Sequence, residues 1–287
     1  MLCRFKSVFI VLAALLPFWS APALAAPRFG GMTELYVYPY IQYFHWQEES
    51  GGRKLLTESG PLYGIGTAVG LNLLQTDTSG SLFMKAKGEL FGGVVDYDGQ
   101  TQKSIDPSQS ELPVNTDVTY VGGKGELNLG WSFPAGRFAI QPFSGIGYRI
   151  WLRDLHDSST TDRNGQALQV QGYTEVWESA YAKLGLNLSH TLDNNWRLFL
   201  EGGVSYPFYN TNSVDIVGNG TVTVRPEGHW SEFGEMGIRT GKVRTAIFYQ
   251  GYRTNQSPAV RISQSTSILQ PRSAEDIVGV SVGYCFR

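Results

Sequence analysis

The side chains that could carry acid–base chemistry in this chain are its four histidines and the carboxylates near them. Asp154, His156 and Asp157 form one group, and Asp96 and Asp98 another. A histidine beside a carboxylate can serve as a base. His229 has Ser231 and Glu232 close by, the residue types of a nucleophilic hydrolase, but no identifiable oxyanion element accompanies them. His45, His156, His190 and His229 lie too far apart in sequence for metal-ligand spacing. Gly64-Ile65-Gly66 and Gly145-Ile146-Gly147 look like phosphate loops, yet they lack the following helix and the Lys-Ser/Thr pair that phosphate binding needs. They read instead as inward glycines that leave room for neighbouring aromatic rings. No catalytic residue, metal or cofactor is assigned.

The elements that must position these groups are strands. From Val278 every second residue is bulky and apolar (Val280, Val282, Tyr284, Phe286), and the residues between are Gly279, Ser281, Gly283 and Cys285. A period of two is a strand with one apolar face. At the other end, Arg4 and Lys6, an apolar run from Val8 to Leu16 and Ala23-Leu24-Ala25 make a secretory leader over residues 1–25, cleaved near Ala25. The apolar run is too short to span a membrane as a helix. Cleavage removes Cys3 and leaves Cys285 without a disulfide partner. Residues 26–287 form one domain. A net charge of -2 with interspersed signs excludes a nucleic-acid partner.

Ten alternating segments follow, the first at Glu34 to Trp46 and the last at the C-terminus. Polar runs at 47–58, 96–117, 153–172, 209–228 and 254–274 alternate with short turns near 75–80, 134–136, 193–195 and 241. Long external loops and short periplasmic turns in strict alternation are the pattern of a membrane barrel with both ends in the periplasm. On these segments the chain resembles bacterial outer-membrane β-barrels, whose last strand ends in alternating aromatics and commonly in Phe; here Arg287 follows Phe286. The expected fold is all-β, a transmembrane antiparallel up-and-down barrel of ten strands, or of eight or twelve if one hairpin is merged or split. The expected location is the outer membrane of a Gram-negative bacterium. The expected partners are outer-membrane lipid and lipopolysaccharide around the wall, and the barrel-assembly machinery at the C-terminal strand.

Parity then sorts the side chains. Trp131, Phe133, Phe138 and Trp196 beside short turns, with Tyr284 and Phe286, are expected in the periplasmic aromatic girdle; Tyr63, Tyr148, Tyr206 and Tyr252 are expected in the outer one. The inward set is Lys85, Lys87, Glu89, Lys124, Glu126, Arg149, Lys183, Arg197, Glu201, Glu235, Arg239 and Arg244, with Glu34 at the start of the first segment. Ten strands enclose a small lumen, so these charges either pair and brace the wall or line a narrow, porin-like path in which the excess of Lys and Arg favours anions. A closed barrel that presents surface loops, adhesin-like or structural, is the alternative to such a path. A ten-stranded barrel of this size also resembles the omptin proteases, which implies paired carboxylates and an Asp-His couple at the outer rim. The couple would fall in the fourth outer segment, Tyr209 to Gly228, which holds Asp215 and no His, so the omptin-like and lipid-hydrolase readings gain no site residues.

Overall fold

The computed structural model describes residues 28–76, 80–101, 107–192, 196–216, 220–263 and 266–286. The leader expected over 1–25, the turn at 193–195 and Arg287 lie outside them. Among the described residues the alternating segments form ten long strands: β1 (Met32–Ser50), β2 (Arg53–Thr76), β3 (Gly80–Gln100), β4 (Pro113–Ala135), β5 (Phe138–Leu155), β6 (Thr174–Thr191), β7 (Trp196–Ile216), β8 (Ser231–Thr240), β9 (Val243–Thr254) and β10 (Arg272–Cys285). Neighbours in sequence pair antiparallel, and β10 pairs with β1, Val280 opposite Ile41, which closes the barrel. Closure leaves no row of bare edge amides facing hydrocarbon. Three short strands join the ring's sheet among the described residues: Arg28–Phe29 against the end of β2, Gly220–Val224 folded back on β7, and Gly228–His229 against the end of β9.

Each strand puts an apolar residue on the outer wall. Ile41, Ile65, Leu90, Leu127, Ile146, Leu186, Leu200, Met236, Ile247 and Val280 supply one exposed side chain from each of the ten strands. A belt of that extent around a water-soluble protein would be a severe liability; in a bilayer it is the lipid face. Phe133, Phe138, Trp196, Tyr284 and Phe286 are exposed on the same wall beside the short turns, and Trp131 is half-buried there. Tyr284 and Phe286 meet edge-on, ring centroids 5.0 Å apart.

Two expectations are corrected. Tyr252 is not in the outer girdle: it shares parity with Arg244 and Gln250, points inward and is buried. Tyr63, Tyr148 and Tyr206 do face outward. Three of the five long connections, 47–58, 153–172 and 209–228, are also mostly strand, and the other two begin and end as strand. β1 and β2 run on to a tight turn at Gly51 and Gly52, both with positive φ (59° and 75°). β3 and β4 pair as far as Gln100 and Pro113. The connection after β5 holds a small hairpin, Ser158–Thr161 with Ala167–Val170. β7 continues to Ile216, with a bulge at Phe208 that turns both Phe208 and Tyr209 outward and accommodates Pro207. Above the apolar belt the outward residues are polar, so the hydrophobic alternation fades although the pleat continues.

Candidate functional site in the barrel interior

The inward positions stack into three levels. At the short-turn end a cavity of about 280 Å3 is bordered by Glu34, Lys85, Arg197, Glu201, Arg239 and Arg244, with Asn72, Gln141, Asn187 and Ser189 among its polar walls. Lys85 lies 3.4 Å from Glu201 and 4.0 Å from Glu34. Arg244 contacts Glu235 at 2.5 Å and lies over the rings of Phe199 and Tyr36.

The middle level is a charge lattice built by register. Lys87 stands opposite Glu126, and Glu89 opposite Lys124; opposite charges on facing strands attract. Lys87 reaches Glu89 at 2.9 Å and Glu235 at 3.7 Å, and Lys124 reaches Glu89 at 2.7 Å. Lys183 bonds Glu126 at 2.8 Å, and the Tyr181 hydroxyl donates to the same carboxylate at 2.7 Å. The Tyr38 hydroxyl donates to Glu89 at 2.6 Å. The inward glycines make this possible. A Cβ at Gly64 would meet the Tyr40 ring, one at Gly66 the Tyr38 ring, and one at Gly147 the Tyr181 ring; at Gly145 the space is taken by Asn128 instead.

The outer level combines aromatic rings with buried ion pairs. Arg149 pairs with Glu275 at 2.6 Å and lies over Trp151 at 4.2 Å, Tyr252 at 4.6 Å and Phe91 at 5.1 Å. Arg153 binds Glu175 at 2.8 Å and also Glu58, which accepts a hydrogen bond from Tyr120. Trp177 donates to Glu175 at 2.8 Å. Arg149, Arg153, Glu58 and Glu275 are each at most 1% exposed. Five residues beyond Tyr43, and so clear of the lipid belt, Glu48 accepts from Trp46 at 3.2 Å and from Gln270 at 2.7 Å. Burial pushes its carboxyl up to about 7; Arg153 opposes the rise, while Glu175 and Glu58 add to it.

Of the inward set, Lys85, Lys87, Glu89, Lys124, Glu126, Arg149, Lys183, Glu201, Glu235 and Arg244 join this ion-pair network. Arg197 and Arg239 stand apart from it, bonded to the Ser189 hydroxyl at 2.9 Å and the Gly241 carbonyl at 3.2 Å. Glu48, Glu58, Arg153, Glu175 and Glu275 are missing from the inward set read from the sequence. Parity was the signal that could have found them: Glu48 follows Gln42, Phe44 and Trp46, and Arg153 follows Arg149 and Trp151.

The rim groups do not converge on a reaction centre. The Asp154 carboxylate accepts from the Thr174 hydroxyl at 2.5 Å, the His156 ring meets the Thr119 hydroxyl at 2.9 Å, and Asp157 accepts the Gly172 amide at 2.7 Å. Asp96 stands opposite Asp117, and Asp98 opposite Thr57 and Asn115. Asp215 accepts from Thr221. His190 stacks on Phe138 at 4.0 Å, and His229 bonds the Trp230 carbonyl at 3.1 Å.

The family model of the autotransporter beta-domain matches residues 68–237. Among solved structures, the outer-membrane protease OmpT of Escherichia coli shares this fold at a TM-score of 0.55 and 13% identity, over 89% of this chain and 98% of that one. The beta domain of the Bordetella autotransporter BrkA aligns at a TM-score of 0.39 and 14% identity, over 88% of this chain and 100% of that one. The translocator domain of the autotransporter NalP from Neisseria meningitidis aligns at 0.36 and 13%, over 88% of each chain. No curated relative matches the sequence.

Proposed function

The chain belongs to the autotransporter beta-domain family and sits in the outer membrane of a Gram-negative bacterium, and from that premise we propose that its barrel is closed at rest and works through its outer end. The observation that carries this reading is the packed outer level: Arg149, Trp151, Trp177 and Glu275 are all buried in mutual contact where a passage would have to run. A narrow porin-like path favouring anions would also have to pass the Lys183–Glu126 and Lys124–Glu89 pairs, whose separation leaves charges buried and unpaired at a cost of several kcal/mol. The inward charges then brace the wall.

NalP's barrel is described as a translocator domain. A translocating role here would require the packed levels to disperse while a chain passes. The omptin-like reading draws no support from the rim, where Asp154, His156 and Asp157 are each engaged with a separate local partner. Lipid and lipopolysaccharide surround the belt, and the assembly machinery reads β10, whose exposed Val278, Val280, Val282, Tyr284 and Phe286 form a continuous apolar row.

The test is single-channel recording of the refolded mature protein in a planar bilayer under a salt gradient. A closed barrel stays electrically silent. Reproducible conductance steps with anion preference would overturn the proposal and restore the pore.

A further inference from the structure

Arg197, Arg239 and Arg244 form one row. Arg197 is the direct cross-strand partner of Arg239, and Arg239 of Arg244, so three guanidinium-bearing residues stand side by side on β7, β8 and β9, facing the lumen at the short-turn end. Like charges directly opposite one another on a sheet are destabilising. Of the three, Arg244 alone has a carboxylate, Glu235, which Lys87 also reaches. Arg197 and Arg239 have no carboxylate partner among the described residues; their bonds go to the Ser189 hydroxyl and the Gly241 carbonyl.

All three border the 280 Å3 cavity, together with Lys85. That space, roughly nine water volumes at ~30 Å3 each, fits a small molecule and no more. Glu201 and Glu34 on the same walls are taken up by Lys85. The four cations Lys85, Arg197, Arg239 and Arg244 thus face three carboxylates, Glu34, Glu201 and Glu235, and the cavity keeps an excess of positive charge centred on Arg197 and Arg239, with the uncharged polar groups of Gln141, Asn187 and Asn72 around them.

We infer that this cavity is a binding site for a phosphate-bearing anion presented from the periplasm. Two guanidiniums offer two planar donor forks, which a phosphate dianion satisfies with separate oxygens, whereas a monocarboxylate neutralises only one. The bound anion relieves the Arg197–Arg239 repulsion, so binding and barrel stability are linked. The site does not depend on whether the barrel conducts, because it is reached without crossing the packed levels.

The probe is inorganic phosphate, titrated into the refolded mature protein in zwitterionic detergent and followed by 31P NMR and by thermal unfolding. Wild type should broaden the phosphate signal saturably and unfold at a higher temperature as phosphate rises. R197Q/R239Q should bind at least tenfold more weakly, lose the phosphate-dependent rise, and unfold no earlier than wild type without phosphate, since the like-charge pair is gone. R239Q alone serves if the double variant misfolds, and R53Q at the far end of the barrel should behave as wild type. Acetate, a monocarboxylate, should compete poorly, and phosphatidylglycerol bicelles should give no matching stabilisation, which separates a soluble phosphate from a lipid headgroup. A wild type indifferent to phosphate, or an R197Q/R239Q response equal to wild type, overturns the assignment, as does stabilisation by phosphatidylglycerol alone.

Discussion

Trp151 and Trp177 face each other as direct partners across β5 and β6 and stack with their planes 10° apart and centroids at 5.5 Å; Trp46 meets Trp177 edge-on at 5.2 Å. The three indoles form a lid over the Arg149–Glu275 pair. Trp177→Ala removes its centre and the donor to Glu175 together. The expected loss is about 3–5 kcal/mol, measured as a lower urea midpoint of the folded barrel in lipid vesicles.

Arg153 holds two buried carboxylates, Glu58 and Glu175. Arg153→Met should cost about 3–5 kcal/mol because it leaves both unpaired. Adding Glu58→Gln and Glu175→Gln should recover much of the loss. A triple variant as unstable as Arg153→Met in the same unfolding assay would show that packing, not charge, explains the residue.

Glu48 gives the outer end a pH dependence. Its folded value of about 7 lies above the ordinary 4.5, so between those limits the folded chain keeps a proton that the unfolded chain has released. Stability should therefore fall as pH rises from about 5 to 7. Glu48→Gln should flatten that slope, raising the melting temperature relative to wild type at pH 8 and changing it little at pH 5.

How much of this was legible in the sequence depends on which face of the wall is considered. Inside the belt, lipid forces every second residue to be apolar, so Ile41, Ile146 and Val280 announce both strand and orientation. Beyond it water accepts polar residues on the outer face, and Glu48, Glu58 and Arg153 sit in stretches that read as loop. Interior partners were illegible for another reason. Arg149 and Glu275 are 126 residues apart and meet across the lumen from β5 to β10, a contact set by barrel closure and not by local pattern.

Gly147 leaves its space to the Tyr181 ring, whose Cζ would lie 2.3 Å from an added Cβ. Gly147→Ala should displace Tyr181 from Glu126 and cost about 1–3 kcal/mol by overpacking. Gly125→Ala, where a Cβ meets nothing within 4 Å, is the matched control and should unfold with wild type.

The strands do not stop where the lipid does. Seven residues separate Tyr43 from Ser50, a rise of roughly 18 Å at ~3.4 Å per residue and a tilt near 40°. A large particle approaching from outside thus meets, where β1, β2, β3, β4 and β7 extend past the belt, a pleated surface, and what it touches there is a mosaic drawn from neighbouring strands. Peptides copied from single segments would not reproduce that mosaic. Because parity separates the outward row from the inward one, the exterior of these extensions can change in sequence while the ion pairs behind it stay unchanged.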